Sequence, residues 1–348
     1  MRHVPPEVPV KIQILCTLGP ASMRPEIIRE LDARNVDLFR INLSHTPLER
    51  VEPAIELIQG CSSTPICLDT EGAQVRCGEV ADGVVLEEGS EIDLVADRVV
   101  GSTASVTLWP ATLFEALTVG SLLEIDFDGA RLRVTDVAER RARAQVTSTG
   151  RMRSNKGVTV APPPELPALS EKDEAAIEVG ARHGIADYAL SFASNADEVA
   201  RIRSLAPQGA SIIAKIESRV GVRNMDAIID AADAVLIDRG DLSREVPFEL
   251  VPYYQKTIIR HANRWNRPVY VATNLLESMV TSRVPTIAES NDIANTLLDG
   301  VHGLVLAAET AVGIDPVASV DMVLRGIGAF ERSTQIRLED DELELPAQ

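Results

Sequence analysis

The chain has 348 residues, 45% hydrophobic and 25% charged, with a formal net charge of −18. This composition supports a large core and roughly two domains. It argues against nucleic acid or an anionic membrane as the main partner, and no run approaches the ~18 uncharged apolar residues of a membrane span.

The opening MRHVPPEVPVKIQ lacks the apolar run of a signal peptide. Cys16, Cys61, Cys67 and Cys77 have no metal-ligand spacing and sit mostly in apolar strands. They read as reduced core thiols of a cytoplasmic protein.

Short apolar runs then recur along the chain: IQILCTL (12–18), VDLFRINLS (36–44), PICLDT (65–70), ADYALSFAS (186–194), SIIAKIE (211–217), AVLIDRGD (234–241), PVYVAT (268–273) and GLVLAAET (303–310). Near-continuous apolar strands belong to a parallel sheet covered on both faces. Between them lie segments with apolar spacing of three and four, among them RPEIIRELDAR, LERVEPAIELIQG, SEKDEAAIEVGARHG with a capping Ser170, and the long ELVPYYQKTIIRHANRW. Eight strand–helix units predict an α/β fold, a (β/α)8 TIM barrel, over residues 1–76 and 161–335.

The third unit is interrupted. Residues 77–160 change to short strands separated by Gly and Asp-Gly turns, which predicts an inserted β-rich lid, a small β-barrel domain after strand 3. APPPELP (161–167) reads as a proline-stiffened return hinge. Residues 336–348 read as a solvated acidic tail.

Unusual polar residues collect at the strand ends, where barrels of this kind carry their chemistry. The second strand ends in Arg40, Asn42, Ser44 and His45, and the third in Asp69, Thr70 and Arg76. The fifth ends in Lys215 and Glu217, the sixth in Arg239, Gly240 and Asp241, the seventh in Thr273, and the eighth in Glu309 and Thr310. Lys215 and Glu217 point to one side of their strand by alternation. A self-neutralising buried pair would gain little after desolvation, so a rim of such residues reads as a site rather than a surface. Glu217 and Asp241, on neighbouring strands, suit Mg2+, which takes one or two carboxylates plus ligand oxygens. Lys215 and Arg40 beside it suit a phosphoryl group. The amides of Gly240 and Asp241 are candidates to receive a carboxylate, and Lys156 is a candidate lid-borne cation. No Walker-type glycine loop is present in the sequence.

RINLSH, LDTEGAQVR, SNKGVTV, LPALSEKD, AKIES, DRGDLSREVP, ATNLLESM and AAETAVGIDP resemble, in order, the motifs of the pyruvate kinase family. The resemblance implies phosphoryl transfer between phosphoenolpyruvate and ADP, giving pyruvate and ATP. It implies Mg2+ or Mn2+ at Glu217 and Asp241, Lys215 against the enolate oxygen, Arg40 on the transferring group, and Thr273 orienting the carboxylate and a protonating water. Arg76 and Lys156, with His45 and Asn42 nearby, would contact nucleotide phosphates. Asn42, Ser44, Asp69 and Thr70 match the family's K+ site. The chain stops soon after the eighth helix, so the family's C-terminal regulatory domain is expected to be absent.

Several positions depart from the family pattern. Glu71 stands for lysine, Ala73 for proline and Gln74 for glutamate, and the neutral Gln74 leaves the potassium requirement open. Asp238 stands for alanine, Ala307 for serine and Ser194 for arginine. Asp238 and Ala307 motivate a second reading, an enzyme acting on a modified enolpyruvate. A metal-dependent pyruvate-enolate lyase or aldolase is a third reading, and a silent relative that binds without turnover is a fourth. A homodimer through the outer helices is compatible with the pattern.

Overall fold

The computed structural model describes residues 11–126 and 129–335; the expected acidic tail lies outside them. The chain divides into two compact units, one of Met1–Thr70 with Glu171–Gln348 and one of Glu71–Ser170.

The first unit is a closed parallel barrel of eight strands. In chain order these are β1 (Gln13–Thr17), β2 (Leu38–Asn42), β3 (Ile66–Asp69), β4 (Asp187–Leu190), β5 (Ser211–Lys215), β6 (Ala234–Asp238), β7 (Val269–Ala272) and β8 (Gly303–Leu306). Each pairs with its neighbours in sequence, and β1 closes the ring by pairing with both β2 and β8. The strands are buried along nearly their whole length, which is why their sequences are almost continuously apolar.

The inner face carries an apolar cluster that includes Leu15, Cys67, Ala189, Ile213, Leu236 and Val305, with Leu38 packed against it. Fully burying a side chain such as Ile213 contributes about 1.5–3 kcal/mol. Two residues further along the same strands, the same face presents Thr17, Arg40, Asp69, Ser191, Lys215 and Asp238. The period-2 alternation of a strand therefore sets a polar layer directly on top of the apolar one.

Each strand ends before its apolar run does, and at β6 and β8 the remainder turns into helix. β6 stops at Asp238, whose carboxylate accepts from the Gly240 and Asp241 amides and starts the helix Arg239–Glu245. Arg239, Gly240 and Asp241 thus lie in a helical turn rather than on the strand. β8 stops at Leu306, and Glu309 and Thr310 sit in the turn Ala308–Ala311. The long helix expected over 249–265 opens with a 3-10 turn, Phe248–Leu250, and runs as α-helix from Val251 to Arg264. Pro252 falls in its first turn, where a missing N–H costs nothing.

The second unit has a seven-stranded sheet and a separate two-stranded one. Strict alternation along Arg141–Ser148 buries Ala142, Ala144 and Val146 and exposes Arg141, Arg143, Gln145 and Thr147. Leu94, Val106, Leu108 and Leu132 join them in a core that belongs to this unit alone. Among the described residues no helix is long and apolar enough to cross a membrane.

Candidate active site

At the C-terminal rim of the barrel the Lys215 ammonium sits among acceptors. Its Nζ donates to Ser191 Oγ at 3.0 Å and lies 3.2 Å from Glu217 Oε2, 3.4 Å from Asp69 Oδ2 and 3.9 Å from Asp238 Oδ2. Lys215 is 4% exposed, and Asp69 and Glu217 are 0% exposed. The spacing expected from alternation thus holds: Lys215 ends β5, Glu217 lies just past it, and both face one cluster.

Arg40 crosses the same layer from β2. It forms a buried ion pair with Asp69 through Nε and Nη2, and Nη1 donates to Thr17 Oγ1 at 2.8 Å. Asp69 Oδ1 accepts from Ser191 Oγ at 3.0 Å, so both its oxygens are engaged. Burial alone would raise the Asp69 carboxyl, but Arg40 and Lys215 outweigh it and hold the group below its usual value. Burial likewise opposes the charged form of Lys215, yet Asp69, Glu217 and Asp238 hold its pKa above normal.

Glu217 shifts the other way. Burial pushes it up to about 8; Lys215 opposes, while Asp241, Asp238 and Asp69 add to the rise. Each member of the pair still favours the charged form of the other. Lys215 is shared among several carboxylates, so the burial-driven rise of Glu217 prevails. Glu217 Oε1 accepts from Phe192 N at 2.7 Å, but buried Oε2 accepts no hydrogen bond. Glu217, Asp238 and Asp241 each place one carboxylate oxygen within 4.8 Å of the others. An orphaned buried oxygen in a cluster of hard anionic donors fits a divalent cation such as Mg2+.

The Gly240 and Asp241 amides, expected to await an incoming carboxylate, already donate to Asp238 Oδ1 at 3.1 and 3.3 Å. Gly240 N also donates to Thr273 Oγ1 at 2.8 Å. Thr273 and Asn274 have φ of 67° and 54°, left-handed backbone held by two Arg239 hydrogen bonds to Thr273 O.

Of the residues matched to a potassium site, Asn42 faces Asp69 in register across β2 and β3. Asn42 Oδ1 accepts from Ser44 N at 2.9 Å, and Thr70 Oγ1 accepts from Ser191 N at 3.0 Å. His45 is exposed at the end of the same turn. Arg76 and Lys156 belong to the second unit. There Arg76 Nη1 donates to Asn155 O at 2.8 Å, and Lys156 Nζ lies 3.3 Å from Asp126 Oδ2.

Sequence reasoning missed Ser191, which links Asp69, Thr70 and Lys215. It took Ser194 as the polar end of the fourth strand. β4 stops at Leu190, and Ser194 instead bonds Glu198 in the following helix. The inward alternation Ala189–Ser191 was the signal. Asp238 was read as a substitution rather than as a member of the acidic cluster, because only the turn after β6 brings it beside Asp241.

Residues 10–320 match the family model described as the pyruvate kinase barrel domain. The chain is 38% identical over 332 residues to pyruvate kinase of Methylorubrum extorquens, covering 92% of this chain and 69% of that protein. It is 35% identical over 328 residues to pyruvate kinase of Sporosarcina psychrophila, covering 90% of this chain and 56% of that protein. A solved structure of Cryptosporidium parvum pyruvate kinase is similar with a TM-score of 0.86 at 28% identity, over 92% of this chain and 70% of that one.

Proposed function

The chain belongs to the pyruvate kinase family, and from that premise we propose that its barrel moves a phosphoryl group between phosphoenolpyruvate and ADP. The bond from phosphorus to the enol oxygen breaks, a bond to the terminal phosphate oxygen of ADP forms, and the enolate takes a proton at carbon to give pyruvate. The observation that supports this best is the buried Lys215 ammonium held among Ser191, Asp69, Glu217 and Asp238. Its raised pKa makes it a fixed cation rather than a base. It serves to stabilise negative charge developing on the enol oxygen.

Arg40 binds the transferring phosphoryl group. Its guanidinium is oriented in advance by Asp69 and Thr17, so less ordering is left for the encounter. The family implies dependence on a divalent metal, and Glu217 and Asp241 would hold Mg2+ or Mn2+. When bound, that ion supplies charge neutralisation for the phosphoryl oxygens. Thr273 orients the substrate carboxylate and the water that delivers the proton. Arg76, Lys156, His45 and Asn42 serve the nucleotide, and Asn42, Ser44, Asp69 and Thr70 a K+ ion. The cysteines are free, which fits a reducing, cytoplasmic setting.

None of the relatives named above is a lyase or aldolase. The test is phosphotransfer by purified protein with phosphoenolpyruvate and several nucleoside diphosphates, with and without Mg2+ and K+. ATP formation that needs the divalent ion and is lost in Lys215→Met is the expected result. Correctly folded protein that forms no nucleoside triphosphate under any of these conditions would sink the reading.

A further inference from the structure

Within the second unit, one buried carboxylate gathers two cations. Asp126 Oδ2 accepts from Arg153 Nη1 at 3.3 Å, and the same oxygen lies 3.3 Å from Lys156 Nζ. Asp126 is 9% exposed, whereas the side chains of Arg153 and Lys156 are 44% and 38% exposed. A single oxygen in reach of both heads brings a guanidinium and an ammonium close enough to share one phosphate.

The backbone that carries these side chains is pinned at each step. Cys77 Sγ donates to Arg153 O at 3.2 Å and accepts from Lys156 N at 3.3 Å. Ser154 Oγ accepts from Val80 N at 2.9 Å and donates to Val80 O at 3.1 Å. Asn155, left-handed with φ of 58°, donates from N to Gly78 O at 3.1 Å, and its O accepts from Arg76 Nη1 at 2.8 Å. Asp126 is also left-handed, with φ of 57°, and its N donates to Gly157 O at 3.0 Å. Arg153 and Lys156 therefore leave the chain from fixed points, and Asp126 fixes where their heads meet.

As a stabilising device this is poor. Half-exposed ion pairs contribute little, burial of the carboxylate costs solvation, and the two cations repel each other. As a binding device it is good. A planar fork and a point charge, converging and still reached by solvent, match the oxygens of a phosphate chain.

We propose that Arg153 and Lys156 together form a phosphate subsite for the nucleoside diphosphate, with Asp126 as the residue that positions both. This deepens the nucleotide role of Lys156 given above and rests on it. Arg153 supplies the fork and Lys156 the point charge. Asp126 lies beneath them and acts through the two cations.

The experiment compares wild type, Arg153→Ala, Arg153→Lys and Asp126→Asn. ADP binding is measured by calorimetry in excess Mg2+ without phosphoenolpyruvate, and KM for each substrate by phosphotransfer. Arg153→Ala is expected to weaken ADP binding and raise KM for ADP at least about threefold, with KM for phosphoenolpyruvate unmoved. Arg153→Lys should recover part of the loss, since it returns the charge without the fork. Asp126→Asn removes a negative charge beside the subsite. A carboxylate that only competed with phosphate would leave this variant binding ADP more tightly; a positioning carboxylate leaves it binding more weakly, which is the expected result. ADP affinity in Arg153→Ala within about threefold of wild type, or in Asp126→Asn equal to or above wild type, overturns the proposal. The Arg153 variants change an exposed side chain and decide the matter even if Asp126→Asn does not fold. Because calorimetry needs no turnover, weaker ADP binding supports the proposal even if no ATP forms, and the absence of ATP counts against the kinase reading alone.

Discussion

Lys215 Nζ lies 3.2 Å from Glu217 Oε2, yet that oxygen, fully buried, accepts no hydrogen bond. The pair is close in charge and misaligned in direction. Lys215 Nζ donates to Ser191 Oγ, 3.0 Å away, while its approach to Glu217 Oε2 makes no hydrogen bond. In a dry site such an oxygen costs about 1–3 kcal/mol unless something satisfies it, and a divalent cation would do so.

Glu217→Gln keeps the shape and the bond from Phe192 N but removes that charge. Divalent-ion affinity should fall at least about tenfold, and kcat/KM by about a hundredfold, near 2.7 kcal/mol. Mn2+ titration followed by electron paramagnetic resonance, beside the phosphotransfer assay, checks both. Affinity within a factor of two of wild type would remove Glu217 from the metal site.

Asp69 joins the two cations of the layer, Arg40 and Lys215, with no exposure to solvent. Asp69→Asn leaves both cations short of a counter-charge. Breaking one partner out of a buried ion pair costs about 3–5 kcal/mol. Urea unfolding at neutral pH should show a loss of that order. A change under about 1 kcal/mol would mean that water reaches this layer.

Ser191 accepts from Lys215 and donates toward Asp69 Oδ1 and Thr70 O, at 3.0 and 2.7 Å. Ser191→Ala should cost about 1–2 kcal/mol of stability. It also frees the ammonium to move, so kcat should drop by about tenfold with KM for ADP unaltered, a split that a purely structural role would not produce.

Away from the site, Glu289 closes a capping box with Thr286 at the start of the helix Ile287–Leu298 and also accepts from Ser278 N and Oγ. Burial alone would raise its pKa, but the hydrogen bonds from Ser278 and Thr286 hold it below the usual value. The unfolded chain therefore takes up this proton first as pH falls. The stabilisation is fully present above about pH 4.5 and is lost as pH drops through the folded value. Glu289→Gln can still close the box and loses only the charge, so it should lower stability at pH 7 by about 0.3–1 kcal/mol. The difference from wild type should shrink by about pH 3 in urea titrations at both pH values. A constant difference would assign the effect to packing.

Much of this site is legible in the sequence. Alternation along IIAKIE put Lys215 and Glu217 on one side, and the apolar runs located all eight barrel strands. Arg40 and Asp69 were readable as strand-end charges because a parallel strand buried on both faces has no other use for them. Asp238 and Ser191 were harder. Each is a short polar residue at the point where a strand gives way to a turn. The sequence does not say whether such a side chain caps its own helix or faces the barrel axis.

What the sequence determined by itself was the order of elements and the inward-facing layer, since periods of two and near four are local properties of the chain. Only the tertiary structure decided who partners whom. Closing the barrel gathers residues at the C-terminal ends of β2, β3, β4, β5 and β6 into one cluster, and there one ammonium lies 3.2–3.9 Å from three carboxylates. That division, and the turn that returns the Asp238 carboxylate onto the amides of Gly240 and Asp241, depend on distances across the ring that no stretch of sequence contains.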